Sequence, residues 1–228
     1  MMPSYFQITP ALSEFHWDME VSDELLQRQL ALKVKLEEEF QQEIIDIRIG
    51  FKTLGISWKK EMLIDRWFEK TEIDFESITL SSKIWKIPVC YDEAHGKDLL
   101  SLASSKKIEP QKLINLHSTP EYRIHFFGFL PGFMYLQGLN PLLHSPRKKI
   151  PELRIEPGSV AIGGSQTGIY PSASPGGWHI IGQTPIPLFD PTEFPPVFAS
   201  PGDKIKFIPI DKEEFDEFKR NPSKPSYQ

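Results

Sequence analysis

The 228 residues predict an α+β domain followed by a mainly β barrel. Prolines and glycines crowd the second half: only Pro3, Pro10, Pro88 and Pro110 of 21 prolines, and Gly50, Gly55 and Gly96 of 14 glycines, precede residue 120. The early residues show helical and strand periodicities in alternation, as regular elements do. From Tyr122 onward, short apolar runs are broken by Pro or Gly every ten or so residues, a pattern that a closed barrel accommodates. The expected divisions are residues 1–85, 86–215 and a C-terminal tail, 216–228.

A strand is expected at Leu12–Trp17. Ser22 is placed to cap the next helix, with Asp23 and Glu24 in its first turn. That helix runs through LLQRQLALKVKLEEEF, with Leu26, Leu30 and Val34 on one stripe. Ile45, Ile47, Ile49 and Phe51 alternate with Asp46, Arg48 and Gly50, the period of a half-buried strand. Leu54, Ile56 and Trp58 repeat it after a short turn. Glu61–Lys70 reads as a second helix and Ile84–Tyr91 as a last strand. The order βαββαβ is ferredoxin-like. Lys97–Ser105 and Pro110–His117 read as two short helices, Pro110 at a first helical position. The final KRNPSKPSYQ reads as a frayed terminus.

Composition excludes several classes. A net charge of −5, with one compact basic run at Arg147-Lys148-Lys149, does not suit nucleic acid. The single cysteine, Cys90, excludes an internal disulfide and any cysteine-based zinc site, so no metal is expected. No apolar run approaches the roughly 20 residues that span a bilayer. The first residues lack the basic and apolar regions of an export signal, so a cytoplasmic protein is expected.

The glycine-rich GSVAIGGSQTGIYP (Gly158–Pro171) fails as a phosphate loop, since no Lys-Ser/Thr follows the glycines. It also fails as a nucleophile elbow around Ser165, because Thr167 stands at the last glycine position. The six histidines show no metal-ligand spacing. His117 stands out because it ends a helix beside the glycine-rich half. The clusters GFLPGF, GGSQTG and SPGGW have two readings. One is tight barrel turns with aromatics filling the core. The other is a rigid pocket, with Arg147 binding an anion and Gln166, Thr167 and Tyr170 supplying hydrogen bonds. Composition does not choose between them.

HFFGFLPGFMYLQGL, Ser145-Pro146-Arg147, GSVAIGGSQTGIYP and SPGGWHIIGQTPIPLFDP, in this order, resemble the signature blocks of one family. It is the family of the 5-oxoprolinase B subunit, also called allophanate hydrolase subunit 1 or KipI-type kinase inhibitor. The similarity runs from about Ile87 to Ile210. It departs at Ile8-Thr9-Pro10-Ala11, where Gly-Asp is usual, at Ser165 in place of glycine, and at Glu152 after Pro151. The resemblance implies a cyclophilin-like barrel behind a small α+β domain. It implies a subunit, inactive alone, of an ATP-dependent complex that opens 5-oxoproline to glutamate, with homologues of the A and C subunits of 5-oxoprolinase as partners. Allophanate hydrolysis is a related assignment. No cofactor is expected on this chain by itself; ATP would be used by the assembled complex.

In that setting Arg147 would hold the substrate carboxylate or a phosphate. Gln166, Thr167 and Tyr170 would orient the amide, and His117 would be the catalytic proton carrier. Phe129, Phe133 and Trp178 would wall the pocket against water. The alternative is a binding module that inhibits a sensor histidine kinase. That role needs only a surface, and predicts aromatics facing outward.

Overall fold

The computed structural model describes residues 1–228 and divides into two units, Met1–Leu80 and Ser81–Gln228. In the first, β1 (Ser4–Thr9), β2 (Leu12–His16), β3 (Ile44–Ile49) and β4 (Thr53–Trp58) form an antiparallel sheet in the order β1-β2-β4-β3. Helices α1 (Asp23–Phe40) and α2 (Asp65–Lys70) complete the unit. The sheet corrects the ferredoxin-like expectation. The edge beside β2, where a fourth strand from Ile84–Tyr91 was expected, is occupied by β1 instead. Ile84–Cys90 belongs to the second unit, where both of its neighbours are barrel strands.

Ser22 caps α1 as expected, its hydroxyl accepting from Leu25 N at 3.2 Å. The buried face of α1 is not the Leu26–Leu30–Val34 stripe, since Val34 is exposed. Leu25, Leu32 and Leu36 pack in the core with Phe15, Leu54, Ile56 and Trp58, and Leu26 and Gln29 are buried beside them on the helix. Gln29 is fully buried, and its amide donates to the Gly50 and Thr53 carbonyls at 3.0 Å each. A polar residue at the centre of the apolar stripe hides that stripe from a hydrophobicity pattern. In β3 a register shift between Ile44 and Asp46 turns Ile45 outward, while Ile44, Ile47 and Ile49 pack on the core.

The second unit contains β5 (Ile84–Cys90), α3 (Leu99–Lys106), α4 (Pro110–Ser118), β6 (Glu121–Phe127), β7 (Met134–Gln137), β8 (Glu152–Ile155), β9 (Ser159–Gly163), β10 (Gln166–Ile169), β11 (Ser174–Gly176), β12 (His179–Gln183), β13 (Lys204–Ile210) and α5 (Lys212–Arg220). Seven strands close a barrel in the order β10-β7-β6-β13-β5-β12-β9, sealed by the antiparallel β9–β10 pair. The β8–β11 pair lies outside the ring. The β5–β13 pairing is parallel and in register from Ile84–Lys204 to Cys90–Ile210. The barrel is filled by Ile87, Val89, Tyr122, Ile124, Met134, Leu136, Val160, Ile162, Ile169, Ile181, Ile205 and Phe207. Pro110 opens α4 at the expected position.

The GGSQTG segment is a hairpin. Gly163 pairs with Gln166, and Gly164 turns the chain at φ +65°, a conformation open to glycine and strained for other residues. Residues expected to fray are instead tied to β5. Gln228 N donates to Ile84 O at 3.1 Å, Lys86 N donates to Ser226 O at 2.8 Å, and the Tyr227 ring packs on Trp85. No helix is long and apolar enough to cross a membrane.

Candidate functional site

The chain from β6 to β12 gathers aromatic side chains beside the β8–β11 pair. Phe133 follows the Gly128–Gly132 turn, Tyr135 lies on β7, Tyr170 follows β10 and Trp178 precedes β12. Phe133, Tyr170 and Trp178 are 4% exposed or less. Phe133 meets Tyr170 edge-on at 5.3 Å and Trp178 at 5.6 Å, and Tyr135 at 4.9 Å. Edge-to-face contacts at these separations fix the rings relative to one another. Phe129 leans over Phe133 at 5.6 Å but is 61% exposed, with φ +66°. A non-glycine residue there stores about 1–2 kcal/mol of strain.

Glycines let these rings approach the backbone. A methyl group on Gly163 would lie 2.5 Å from the Trp178 indole, and one on Gly176 would overlap the Tyr170 hydroxyl. The glycine clusters therefore serve both readings the sequence left open: they make turns, and they make room for the wall.

Arg147 lies over this wall, its guanidinium carbon 5.9 Å from the Trp178 ring centre. Both sides of its loop are anchored. Ser145 exchanges backbone bonds with Gly164 at 2.9 and 2.6 Å, and Lys148 N donates to Gly177 O at 2.7 Å. The Lys148 ammonium donates to Asp98 at 2.6 Å and to Glu152, and the same Asp98 oxygen accepts Ile180 N at 2.7 Å. Arg147 itself has no carboxylate partner within the chain. Lys148 in this loop is thus neutralised, while Arg147 beside it is not.

Phe129, Phe133, Tyr135, Arg147, Pro151, Tyr170 and Trp178, with Pro175, Gly176 and Gly177, line a pocket of about 260 Å³. Two larger grooves, of 540 and 390 Å³, contain none of the eight expected site residues. Burial pushes the Tyr170 hydroxyl up to about 12 and raises that of Tyr135, with Arg147 opposing both shifts. At neutral pH both are O–H donors rather than bases.

Five of the eight expected site residues meet here: Arg147, Tyr170, Phe129, Phe133 and Trp178. Gln166, Thr167 and His117 do not line the pocket. Thr167 and His117 are fully buried in the barrel. Thr167 Oγ1 donates to Ala161 O at 3.0 Å, so its oxygen must accept from His117 Nε2 at 2.8 Å. His117 Nδ1 then accepts from the Tyr91 hydroxyl, also at 2.8 Å. This bond chain fixes a neutral imidazole, and burial pushes its pKa down to about 3. As a proton carrier His117 is therefore corrected: it has no solvent path and no spare lone pair. Gln166 opens β10 at the hairpin, partly exposed. Tyr135 was missed, although it lies in the most aromatic stretch of the sequence. The inhibitor reading requires outward-facing aromatics, and of Phe129, Phe133 and Trp178 only Phe129 faces solvent.

Residues 7–199 match the family model described as carboxyltransferase domain, subdomain C and D. The chain belongs to that family. Among curated members, the 5-oxoprolinase B subunit of Escherichia coli O157:H7 is 43% identical over 146 residues, which are 64% of this chain and 65% of that protein. The 5-oxoprolinase B subunit of Haemophilus influenzae is 38% identical over 176 residues, 74% of this chain and 80% of that protein. The chain thus spans slightly less than two thirds of the E. coli relative. The Kluyveromyces lactis urea carboxylase structure superposes with a TM-score of 0.81 at 18% identity, over 99% of this chain and 24% of that one. At that identity the likeness is one of fold. The family assignment covers the pocket-forming segments, since Phe129 to Trp178 fall within the matched residues.

Proposed function

We propose that this chain is one subunit, inactive alone, of an ATP-dependent 5-oxoprolinase complex that opens 5-oxoproline to glutamate. The observation that carries the reading is Arg147, a cation without an intrachain acceptor on an anchored loop above an aromatic pocket. A guanidinium binds a carboxylate bidentately, and the substrate carries one carboxylate on a small, flat lactam ring. A pocket of 260 Å³ suits such a ring, with Phe133 and Trp178 in its apolar wall. The Tyr135 and Tyr170 hydroxyls would donate to the lactam. The names of the relatives point the same way.

Hydrolysis of an unstrained lactam needs an activated carbonyl. Transfer of a phosphoryl group from ATP to the carbonyl oxygen supplies this; one water then adds to the carbonyl carbon and the ring nitrogen leaves as the amine, giving an acyl phosphate, which a second water hydrolyses to the free carboxylate and phosphate. The glycine-rich hairpin between β9 and β10 is not a phosphate loop at a helix start. We therefore assign the nucleotide chemistry to partners homologous to the A and C subunits of 5-oxoprolinase. This chain contributes carboxylate binding, ring orientation and exclusion of water in a shared, cytoplasmic complex, and its barrel is of the cyclophilin-like kind.

The test is co-purification with the partner homologues and assay of ATP-dependent 5-oxoproline cleavage. Arg147→Ala should lower kcat/KM roughly 10- to 100-fold, since a hydrogen bond to a charged group contributes about 1.5–3 kcal/mol. An active complex indifferent to this change refutes the role of the pocket. Absence of any complex refutes the subunit reading.

A further inference from the structure

On the far end of β5 a second group of side chains converges, none of which lines the aromatic pocket. The Cys90 thiol, the Asp92 carboxylate and the His95 imidazole offer ligand atoms that all lie within 4.8 Å of one another. They come from one short segment, Cys-Tyr-Asp-Glu-Ala-His. Its backbone is fixed without help from a ligand. His95 N donates to Asp92 Oδ1 at 2.9 Å, Gly96 N donates to Asp92 O at 2.7 Å, and His95 Nδ1 lies 2.6 Å from the same carboxylate oxygen. Cys90 is held in the ladder opposite Gln183 and Ile210.

The imidazole is also held from the other side. Phe215, buried on the first turn of α5, lies 4.2 Å from the His95 ring, and α5 is fixed by a capping box between Asp211 and Glu214. The side chain of Asp92 is 36% exposed, that of His95 13%, and Cys90 is buried. The cluster is thus closed at the sulfur and open to solvent at the carboxylate, which gives an ion an entry path.

We propose that Cys90, Asp92 and His95 bind one divalent transition-metal ion, with zinc as the best match. A thiolate, a carboxylate and a neutral imidazole carry two negative charges, which balance a divalent cation. Sulfur and nitrogen donors disfavour magnesium and calcium, and the mixed set suits zinc. Zinc bonds of about 2.0–2.3 Å at tetrahedral angles set ligand atoms about 3.3–3.6 Å apart, so atoms now as much as 4.8 Å apart must draw in while the His95–Asp92 pair, at 2.6 Å, must open. The His95–Asp92 hydrogen bond is exchanged for shared coordination, and the thiol proton is released to solvent. Three protein ligands leave a fourth position for water. The exclusion of a cysteine-based zinc site drawn from the single cysteine holds only for sites built on two or more thiolates; one thiolate is all that a Cys-Asp-His set requires. By joining β5 to the turn before α3, the ion would tie that turn to the barrel.

The test is titration of the chelator-stripped full chain with Co²⁺, followed by absorption. The expected result is one Co²⁺ per chain, with a near-ultraviolet thiolate-to-cobalt band and visible bands of four-coordinate strength, both displaced by Zn²⁺. Cys90→Ser should abolish the near-ultraviolet band, and His95→Gln should weaken binding more than about 100-fold, beyond the usual effect of groups outside the ligand set. Circular dichroism checks folding. Should Cys90→Ser fail to fold, His95→Gln, on the turn, decides. Absence of the thiolate band at stoichiometric Co²⁺, or unchanged affinity in His95→Gln, overturns the proposal.

Discussion

His117 provides the sharpest quantitative prediction. Its imidazole is fully buried between Tyr91, Tyr122, Thr167 and Phe207, with no charged group among them, and its pKa falls from 6.5 to about 3. In the unfolded chain the group titrates near 6.5. Above that pH both states are neutral and the histidine adds no pH dependence. As pH falls below 6.5 the unfolded chain takes up a proton that the folded barrel refuses, so stability is lost. At pH 5 the loss is about 2 kcal/mol, and it approaches about 5 kcal/mol once the pH is below both values. Urea unfolding of the wild type and of His117→Leu at pH 7 and pH 5 measures it. The variant should be less stable at pH 7 by roughly 1–3 kcal/mol, because Tyr91 and Thr167 lose a buried partner. Between pH 7 and 5 it should lose about 2 kcal/mol less than the wild type. Equal losses, or a nuclear magnetic resonance titration of His117 near pH 6.5, would refute the reasoning.

Three further changes test other parts of the structure. Gln29→Leu removes the amide that serves the Gly50 and Thr53 carbonyls and should cost about 1–3 kcal/mol in denaturant unfolding of the first unit, despite its greater apolarity. Gly163→Ala forces a methyl against the Trp178 indole; a loss of about 1–3 kcal/mol and a shifted tryptophan emission are expected, visible by fluorescence-detected unfolding. Asp98→Ala breaks the Lys148 ion pair and the Ile180 backbone bond together, and should weaken 5-oxoproline turnover in the assembled complex through KM rather than kcat.

Local signals in the chain proved readable where one residue decides one geometry. Ser22 caps α1, Pro110 opens α4, and Leu54, Ile56 and Trp58 point inward on alternate positions. The barrel was legible from proline and glycine spacing, and the pocket aromatics from their crowding around glycines. What failed was choice of partner over long distance. The residues of β5 are apolar enough to finish either sheet, and nothing local states that Ile84 pairs with Lys204 rather than with the N-terminal strands. In β1, Phe6 and Ile8 alternate with Gln7 and Thr9, but both apolar residues are exposed, so the alternation does not mark a buried face. His117 was misplaced for a related reason: the helix position suggested access, but burial came from Thr167, fifty residues on, and from β13.

The parallel seam between β5 and β13 bears on the order in which the protein forms during synthesis. Its strands are about 120 residues apart, so the first strand of the ring waits for its last. The loop-closure entropy of that pairing must be met before the barrel interior is sealed, which makes closure late and slow. The first unit has its own core and its most distant strands within one short stretch, so it can fold on the ribosome while β5 is still unpaired. During that interval the apolar Ile84–Cys90 segment is exposed as a sticky edge, and chain elongation rather than chemistry sets how long a nascent molecule remains vulnerable to aggregation.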